Sequence, residues 1–300
     1  MFLIISNDRQ NNIHHKNKEG LEMILKYLKM EYKYGKEEDI DDDKYKIIYS
    51  PDRPVNYNKH PNKLYIFGPH FCVLPDKNLY SINIKRDNVV YILPSQWCID
   101  FYKNNYDLVL NLAPFPFPVN IDKFSPDENE DSYNNKNKTQ ILIYYKARKS
   151  EELSFLINKL TQFKFNINDI IIYNYGNKYN ENDFIMDIRK SRFGIVLDAH
   201  ESQGFAIEEM LSSNLPLFVW GVTNLNQEEG IEYPPYPATT IPYWDSRCGE
   251  VFHDSRDFDK TFNIFLSKLD SYKPRDYIVE NLSVKPCAER LQRLIEGRYQ

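Results

Sequence analysis

Residues 200–219 read HESQGFAIEEMLSSNLPLFV, and two of the acids, Glu201 and Glu209, flank a Gly-Phe pair. Ionised carboxylates accept hydrogen bonds from hydroxyls, so such a pair could grip the two ends of an extended, hydroxyl-rich ligand. The apolar run 193–197 just before them reads as a strand ending at Asp198, and a helix pattern follows from about 205 to 213. Residues 201–204 then form a strand-to-helix loop. The N–H groups of Gly204 and Phe205 would point at the helix mouth, where an anion is favoured, and Gly204 lets a ligand approach the backbone. Counted along one helix, Glu209 would lie only ~80° around and ~12 Å along from Glu201. The plainer alternative is an acidic helix start that complements the macrodipole, with Glu208 and Glu209 in solvent. On spacing alone the two readings are level.

The elements that must position this loop come from a repeated strand–helix rhythm, the pattern of parallel α/β proteins. Strands are predicted at 2–5, 46–49, 64–67, 89–92 and 108–110, with helices near 18–29 and 96–104. The second helix is predicted to start at Ser95 as its cap, with Trp97, Ile99 and Phe101 facing inward. The rhythm restarts after a stiff APFPFP connector at 113–118 and a polar loop, DENEDSYNNKNK, at 127–138. Strands follow at 141–145, 170–173, 193–197 and 217–219, and helices near 150–160, 182–191, 205–213, 258–269 and 286–295. The expected fold is α/β, two Rossmann-like domains facing a central cleft, with ligands beyond the carboxyl ends of the strands.

Composition narrows the function. A chain of 300 residues with 42% apolar residues can bury a sizeable core, and a net charge of −5 offers no basic footprint for nucleic acid. No run approaches the length of a membrane span, and the N-terminus lacks the pattern of a signal peptide, so a cytoplasmic protein is expected. Cys72, Cys98, Cys248 and Cys287 contain no CxxC pair and read as reduced core thiols. Asn137 and Asn281 open glycosylation patterns that carry no weight without secretion. His14-His15 reads as surface. The EEDIDDD run at 37–43 reads as a solvated acidic loop, with a metal-holding cluster at Asp41–Asp43 as the lesser alternative. After the first strand stands Ser6-Asn7-Asp8-Arg9 in place of a GxGxxG, which argues against a dinucleotide dehydrogenase.

The stretch from Glu201 to Glu209, with Pro216 in register, resembles the E-x7-E signature of retaining GT-B glycosyltransferases of the glycosyltransferase group 1, glycogen-synthase-like type. Other landmarks follow in that family's order. They are Pro94-Ser95-Gln96-Trp97, the linker Pro116 to Pro126, the strand and basic loop ILIYYKARK at 141–149, and the stretch from Tyr277 to Ser283. The resemblance covers residues 90–295 well and 1–88 weakly. It implies an N-terminal acceptor domain at 1–118, a nucleotide-sugar donor domain at 119–280, and a closing helix at 281–300 that returns to the first domain.

The implied reaction moves a sugar from a UDP- or GDP-sugar to a glycan or other hydroxyl acceptor with retention, without cofactor or metal. Glu201 would lie near the sugar and Glu209 would bind the ribose hydroxyls. Arg148, Lys146 and Lys149 would meet the diphosphate together with the N–H groups of the 203–206 loop, Gln203, Gly204, Phe205 and Ala206. Their plain reading is a solvated helix start. His70 would bond the transferred sugar or serve structurally. Tyr243-Trp244 would pack in the core or form a lip over the donor. Ser202 and Gln203 depart from the family's Gly-Phe, and Asn214 replaces a glycine while tolerating the same left-handed turn. The missing N-terminal glycines leave room for two other readings: a degenerate member that binds nucleotide sugar or glycan without transfer, and an unrelated α/β nucleotide- or sugar-phosphate-binding enzyme.

Overall fold

A computed structural model describes residues 1–5, 12–70, 85–107, 109–126 and 138–298, with 12–14 described by backbone only. The predicted loop at Ser6–Arg9, Cys72, the His14 side chain and nearly all of the polar 127–138 loop lie outside the described residues. By its contacts the chain divides into two compact units, Met1–Pro118 with Leu282–Gln300, and Val119–Asn281.

The first unit holds a six-stranded parallel sheet in the order β2-β1-β3-β4-β5-β6. Its strands are β1 (Phe2–Ile5), β2 (Tyr32–Gly35), β3 (Ile47–Ser50), β4 (Leu64–Phe67), β5 (Val89–Leu93) and β6 (Leu112–Pro114). The inner strands are continuous apolar runs because both of their faces are buried. Edge strand β2, YKYG, has no such run and only its pairing with β1 makes it a strand. β6 begins beyond the predicted 108–110 because Asn111 anchors the pairing. Its amide donates to the Val89 carbonyl at 3.0 Å, and its carbonyl accepts from Tyr91 N–H at 2.8 Å.

Helices α1 (Asn12–Tyr27), α2 (Gln96–Asn105) and α8 (Val284–Ile295) belong to this unit, and α8 packs on α1. In α2 the buried residues are Cys98, Ile99, Phe101 and Tyr102, while Trp97, expected inside, is half-buried. Part of the acidic run forms a short 3-10 helix, Glu37–Asp41, with Ile40 buried beneath it. Asp41 is engaged by Lys59 at 2.6 Å and His60 at 2.8 Å. The buried Lys63 ammonium donates to the carbonyls of Ile40 and Asp42.

The second unit carries a five-stranded parallel sheet in the order β11-β10-β9-β7-β8. Its strands are β7 (Gln140–Lys146), β8 (Ile170–Asn174), β9 (Ser191–Asp198), β10 (Leu217–Trp220) and β11 (Gly249–Phe252). One face packs on α3 (Ser150–Gln162) and α6 (Phe258–Lys268) through a core rich in phenylalanine, including Phe193, Phe218, Phe252, Phe258, Phe262 and Phe265. α4 (Glu181–Lys190), α5 (Phe205–Ser212) and α7 (Pro274–Leu282) complete the unit. The stretch between β10 and β11 holds no α-helix, only the short 3-10 turn Leu225–Gln227. Cys98, Cys248 and Cys287 are buried free thiols. No helix among the described residues is long and apolar enough to cross a membrane.

β11 escaped sequence reading because its short run, GEVF, follows a long irregular stretch. Gly249 opens it at φ 142°, and a Cβ there would sit 1.8 Å from the Leu217 carbonyl oxygen of the neighbouring strand. Gly249→Ala is therefore expected to lower stability by about 2–5 kcal/mol, combining backbone strain and overpacking. Urea denaturation of the variant against the parent chain checks this.

Candidate functional site

β7 and β9 run side by side, and their register pairs Lys146 with Asp198 at the carboxyl ends of both strands. Adjacent residues on parallel neighbours project to the same side, so an ammonium and a carboxyl meet there. Lys146 Nζ lies 3.9 Å from Asp198 Oδ2 and in direct contact with Glu201 Oε1 from the loop after β9. It also sits 4.8 Å from the Tyr175 ring centroid. Tyr175 and Tyr179 belong to the loop between β8 and α4, and Tyr175 is 47% exposed.

Burial decides the charge states. Asp198 is fully buried, 0% exposed, and burial drives its carboxyl well above the ordinary carboxylate range. Lys146 pulls the other way, while the charge of Glu201 adds to the rise. For Glu201 burial again works upward, but the Lys146 ammonium beside it prevails and holds the carboxyl below its usual value. Burial would lower Lys146, and Glu201 and Asp198 together keep it above its ordinary value. The cluster is thus a Lys146–Glu201 ion pair beside Asp198, a buried acid whose carboxyl binds its proton more tightly than usual.

The loop reaches α5 through Gly204, which adopts φ 91° and ψ 51° as the residue capping the helix. Glu201 therefore precedes the helix, and the wheel geometry counted from the sequence does not apply. The N–H groups of the first turn, including that of Ala206, point away from the helix body, and Gly204 has no side chain to cap them. The far end of α5 is fastened. Asn214 takes φ 61°, and the Leu215 and Asn214 N–H groups return to the Met210 and Leu211 carbonyls. Arg275 donates to the carbonyls of Ile121, Phe124 and Ser212, tying α5 to the segment after the linker.

Glu209 is buried on α5, and its charge is the leading electrostatic influence on Tyr179, whose hydroxyl burial pushes above the usual range. Glu208, expected in solvent, is 1% exposed and accepts from Gln203 Nε2 at 3.0 Å. α5 is covered on both of these faces, so the alternative of solvent-exposed Glu208 and Glu209 fails. The Gln203 side chain turns inward to Glu208.

Arg148 also departs from expectation. Its guanidinium is buried and donates through Nη1 to the carbonyls of Asp198 at 3.1 Å and Trp220 at 3.0 Å. Nε and Nη2 bond Glu152, and the group lies over the Trp220 ring. Such a fork holds the ends of β9 and β10 to the start of α3, and its role is positioning instead of contact with a diphosphate. Lys149 is the exposed cap residue of α3, its N–H held by Glu152 at 3.1 Å. Of the expected basic trio, Lys146 alone meets the acidic loop.

His70 belongs to the first unit. Its Nδ1 lies 2.9 Å from Asp52 Oδ1 and its Nε2 3.1 Å from Asn17 Nδ2, so both ring nitrogens are engaged within that unit. In the second unit Tyr243 and Trp244 are half-buried, and nearby Arg247 bonds Asp245 and Glu280. Sequence reasoning missed Asp198, Tyr175 and Tyr179 as members of the site. The one available signal was an acid closing the apolar strand FGIVLD; the pairing that brings it to Lys146 is a property of the sheet.

No family model and no curated protein matches the sequence. Solved structures match the fold. Sucrose-phosphate synthase from Thermosynechococcus elongatus superposes with a TM-score of 0.57 at 8% identity, covering 98% of each chain. WaaG, a glycosyltransferase involved in lipopolysaccharide biosynthesis, gives 0.52 at 10% identity over 99% of this chain and 100% of that one. The pneumococcal O-GlcNAc transferase GtfA, solved with UDP and GlcNAc, gives 0.50 at 11% identity over 87% of this chain, which spans 58% of that protein. The fold is α/β, of the GT-B kind.

Two outcomes follow from the electrostatics. Arg148→Ala should cost about 3–5 kcal/mol by leaving a buried acceptor set unpaired, and Arg148→Lys should recover only part, because an ammonium cannot span both carbonyls and Glu152. Calorimetric melting measures both. Asp198, with its folded-state pKa raised, weakens the fold progressively as pH rises above its unfolded value of ~3.9. Asp198→Asn should accordingly be more stable than the parent at pH 7.5 and lose that advantage near pH 4. Urea titrations at the two pH values give the comparison, and an equal difference at both would contradict the assignment.

Proposed function

We propose that this chain is a retaining, metal-independent glycosyltransferase that takes its sugar from a nucleotide-diphosphate sugar. The observation that carries the reading is the Lys146–Glu201 pair set beside the start of α5 at the carboxyl edge of the second sheet. Departure of a nucleoside diphosphate builds negative charge on phosphate and positive charge on the sugar ring. Preorganised cations and N–H donors stabilise the first, and a carboxylate supports the second. A bound diphosphate would draw Lys146 from Glu201 toward itself and to the N–H groups of Phe205 and Ala206. The freed Glu201 carboxylate would then accept hydrogen bonds from the sugar hydroxyls, and Glu209 would hold the ribose.

The step breaks the bond from the anomeric carbon to the diphosphate oxygen and forms one to the acceptor oxygen on the same face. The acceptor's proton passes to the departing phosphate. Charge at the phosphate is met by Lys146 and the helix mouth, which is why no divalent ion is assigned a part. A second reading, binding of nucleotide sugar without transfer, is favoured by one feature. Arg148 is turned inward, leaving a single cation of the expected three against Glu201.

Melting in the presence of UDP, GDP, UDP-glucose, UDP-N-acetylglucosamine and GDP-mannose, with release of UDP or GDP followed in parallel, separates the readings. Donor-specific stabilisation with slow diphosphate release is expected. Stabilisation with no release, sugar acceptors present, would favour binding alone, and no response to any of the five would sink both. In the parent's best donor, Glu209→Ala should weaken binding of the free nucleotide about tenfold or more, a loss of about 1.4 kcal/mol. Glu201→Gln should instead lower kcat about 100-fold with little change in KM.

A further inference from the structure

The connection from β10 to β11 occupies the place of a crossover helix, yet it runs as an irregular excursion through residues 221–248. Irregular segments of that length are uncommon in compact domains and are usually functional. Most of it is a hairpin. Leu225 N–H donates to the Tyr236 carbonyl at 2.9 Å, Ala238 N–H to the Thr223 carbonyl at 3.0 Å, and Asn224 bridges Pro237. Thr240 secures the base, its hydroxyl accepting from Val222 N–H at 3.0 Å.

This hairpin touches the chain on both sides of the Lys146–Glu201 pair. Glu229 N–H donates to the carbonyl of Ala147, next to Lys146, at 2.8 Å. Glu201 N–H donates to the carbonyl of Thr239 at 3.0 Å. Between these two backbone bonds a side-chain contact joins the same partners. His200 Nδ1, next to Glu201, lies 2.8 Å from Glu228 Oε2, and both side chains are largely buried. The His200 ring meets Tyr233 edge-on, with centroids 5.6 Å apart. Ala147 itself is held at φ 49°, a conformation that a non-glycine residue keeps only when its surroundings impose it.

We infer that the 221–240 hairpin is a strap that sets the spacing of Lys146 and Glu201, with Glu228 and His200 as positioning residues. Neither is assigned contact with substrate. Their part is to tie the loop after β9 to the loop after β7, so that the ammonium and the carboxylate meet in a fixed geometry. The catalytic part of this inference rests on the glycosyltransferase reading, whereas the strap itself does not.

The experiment compares the full chain with Glu228→Ala, Glu228→Gln and His200→Phe, the last keeping a ring against Tyr233. Hydrogen exchange is followed in segments 144–149 and 199–204 with no ligand present, and steady-state kinetics are followed with UDP-glucose and GDP-mannose. Exchange in both segments should rise together, about tenfold, in Glu228→Ala and His200→Phe, while the Phe258–Phe265 core stays protected. Glu228→Gln, which keeps the size and a polar end against His200, should restore most of the protection. The kcat should fall about tenfold with KM within about twofold, and Glu228→Gln should recover it. Unchanged exchange in either segment would overturn the strap. Raised exchange with undiminished kcat would overturn the positioning role. A parent chain that turns over neither donor would count against the glycosyltransferase assignment for those donors and end the catalytic part, with exchange alone still deciding the strap.

Discussion

The second unit is organised by one buried guanidinium. Arg148 closes the β7 end of the sheet, reaches the last carbonyls of β9 and β10, and is balanced by Glu152 at the start of α3. A desolvated cation is tolerated only with its donors satisfied, so the geometry of these three strand ends and one helix start is strongly coupled. That coupling defines the carboxyl edge on which the candidate site stands. Side chains at that edge have fixed neighbours because the strand ends have fixed neighbours.

On this edge, burial and charge divide the labour among residues of the same chemical type. Asp198 and Glu201 are both carboxylic acids near one ammonium, yet their proton affinities move in opposite directions. Glu201 wins the direct contact with Lys146, and Asp198, deeper and farther from the cation, binds its proton more tightly than usual. An ion pair next to an acid of raised proton affinity is a polarised arrangement at the carboxyl edge of the sheet. The same unit holds Glu208 and Gln203 as an inward-facing pair, so α5 devotes one acid to its own packing, while the charge of the other acts on Tyr179.

Rigidity at both ends of α5 complements this arrangement. Gly204 turns the chain into the helix through a left-handed conformation, and Asn214 turns it out through another. Arg275 then binds the exit to the segment following the proline-rich linker. A short helix is not stable alone, and here its position comes from these fastenings and from its buried apolar residues, Ile207, Met210 and Leu211.

Local pattern alone determined the α/β class, most strand positions and the loop carrying Glu201, because buried parallel strands are continuous apolar runs and α5 begins after a glycine. β2 and β11 were not legible, since their short polar or glycine-led segments are strands only by virtue of a neighbour's hydrogen bonds. At the site, Lys146 and Glu201 were legible as residue types in a suitable loop. Asp198 was not, because its meeting with Lys146 depends on β7 and β9 being adjacent in a particular register. Arg148 and Lys146 look alike in the run KARK, and only the direction of each side chain from the sheet edge separates a structural staple from a site cation. Sequence spacing specifies which residues can share a loop or a face. Which way a charge points, and whether water reaches it, is decided when distant strands pack.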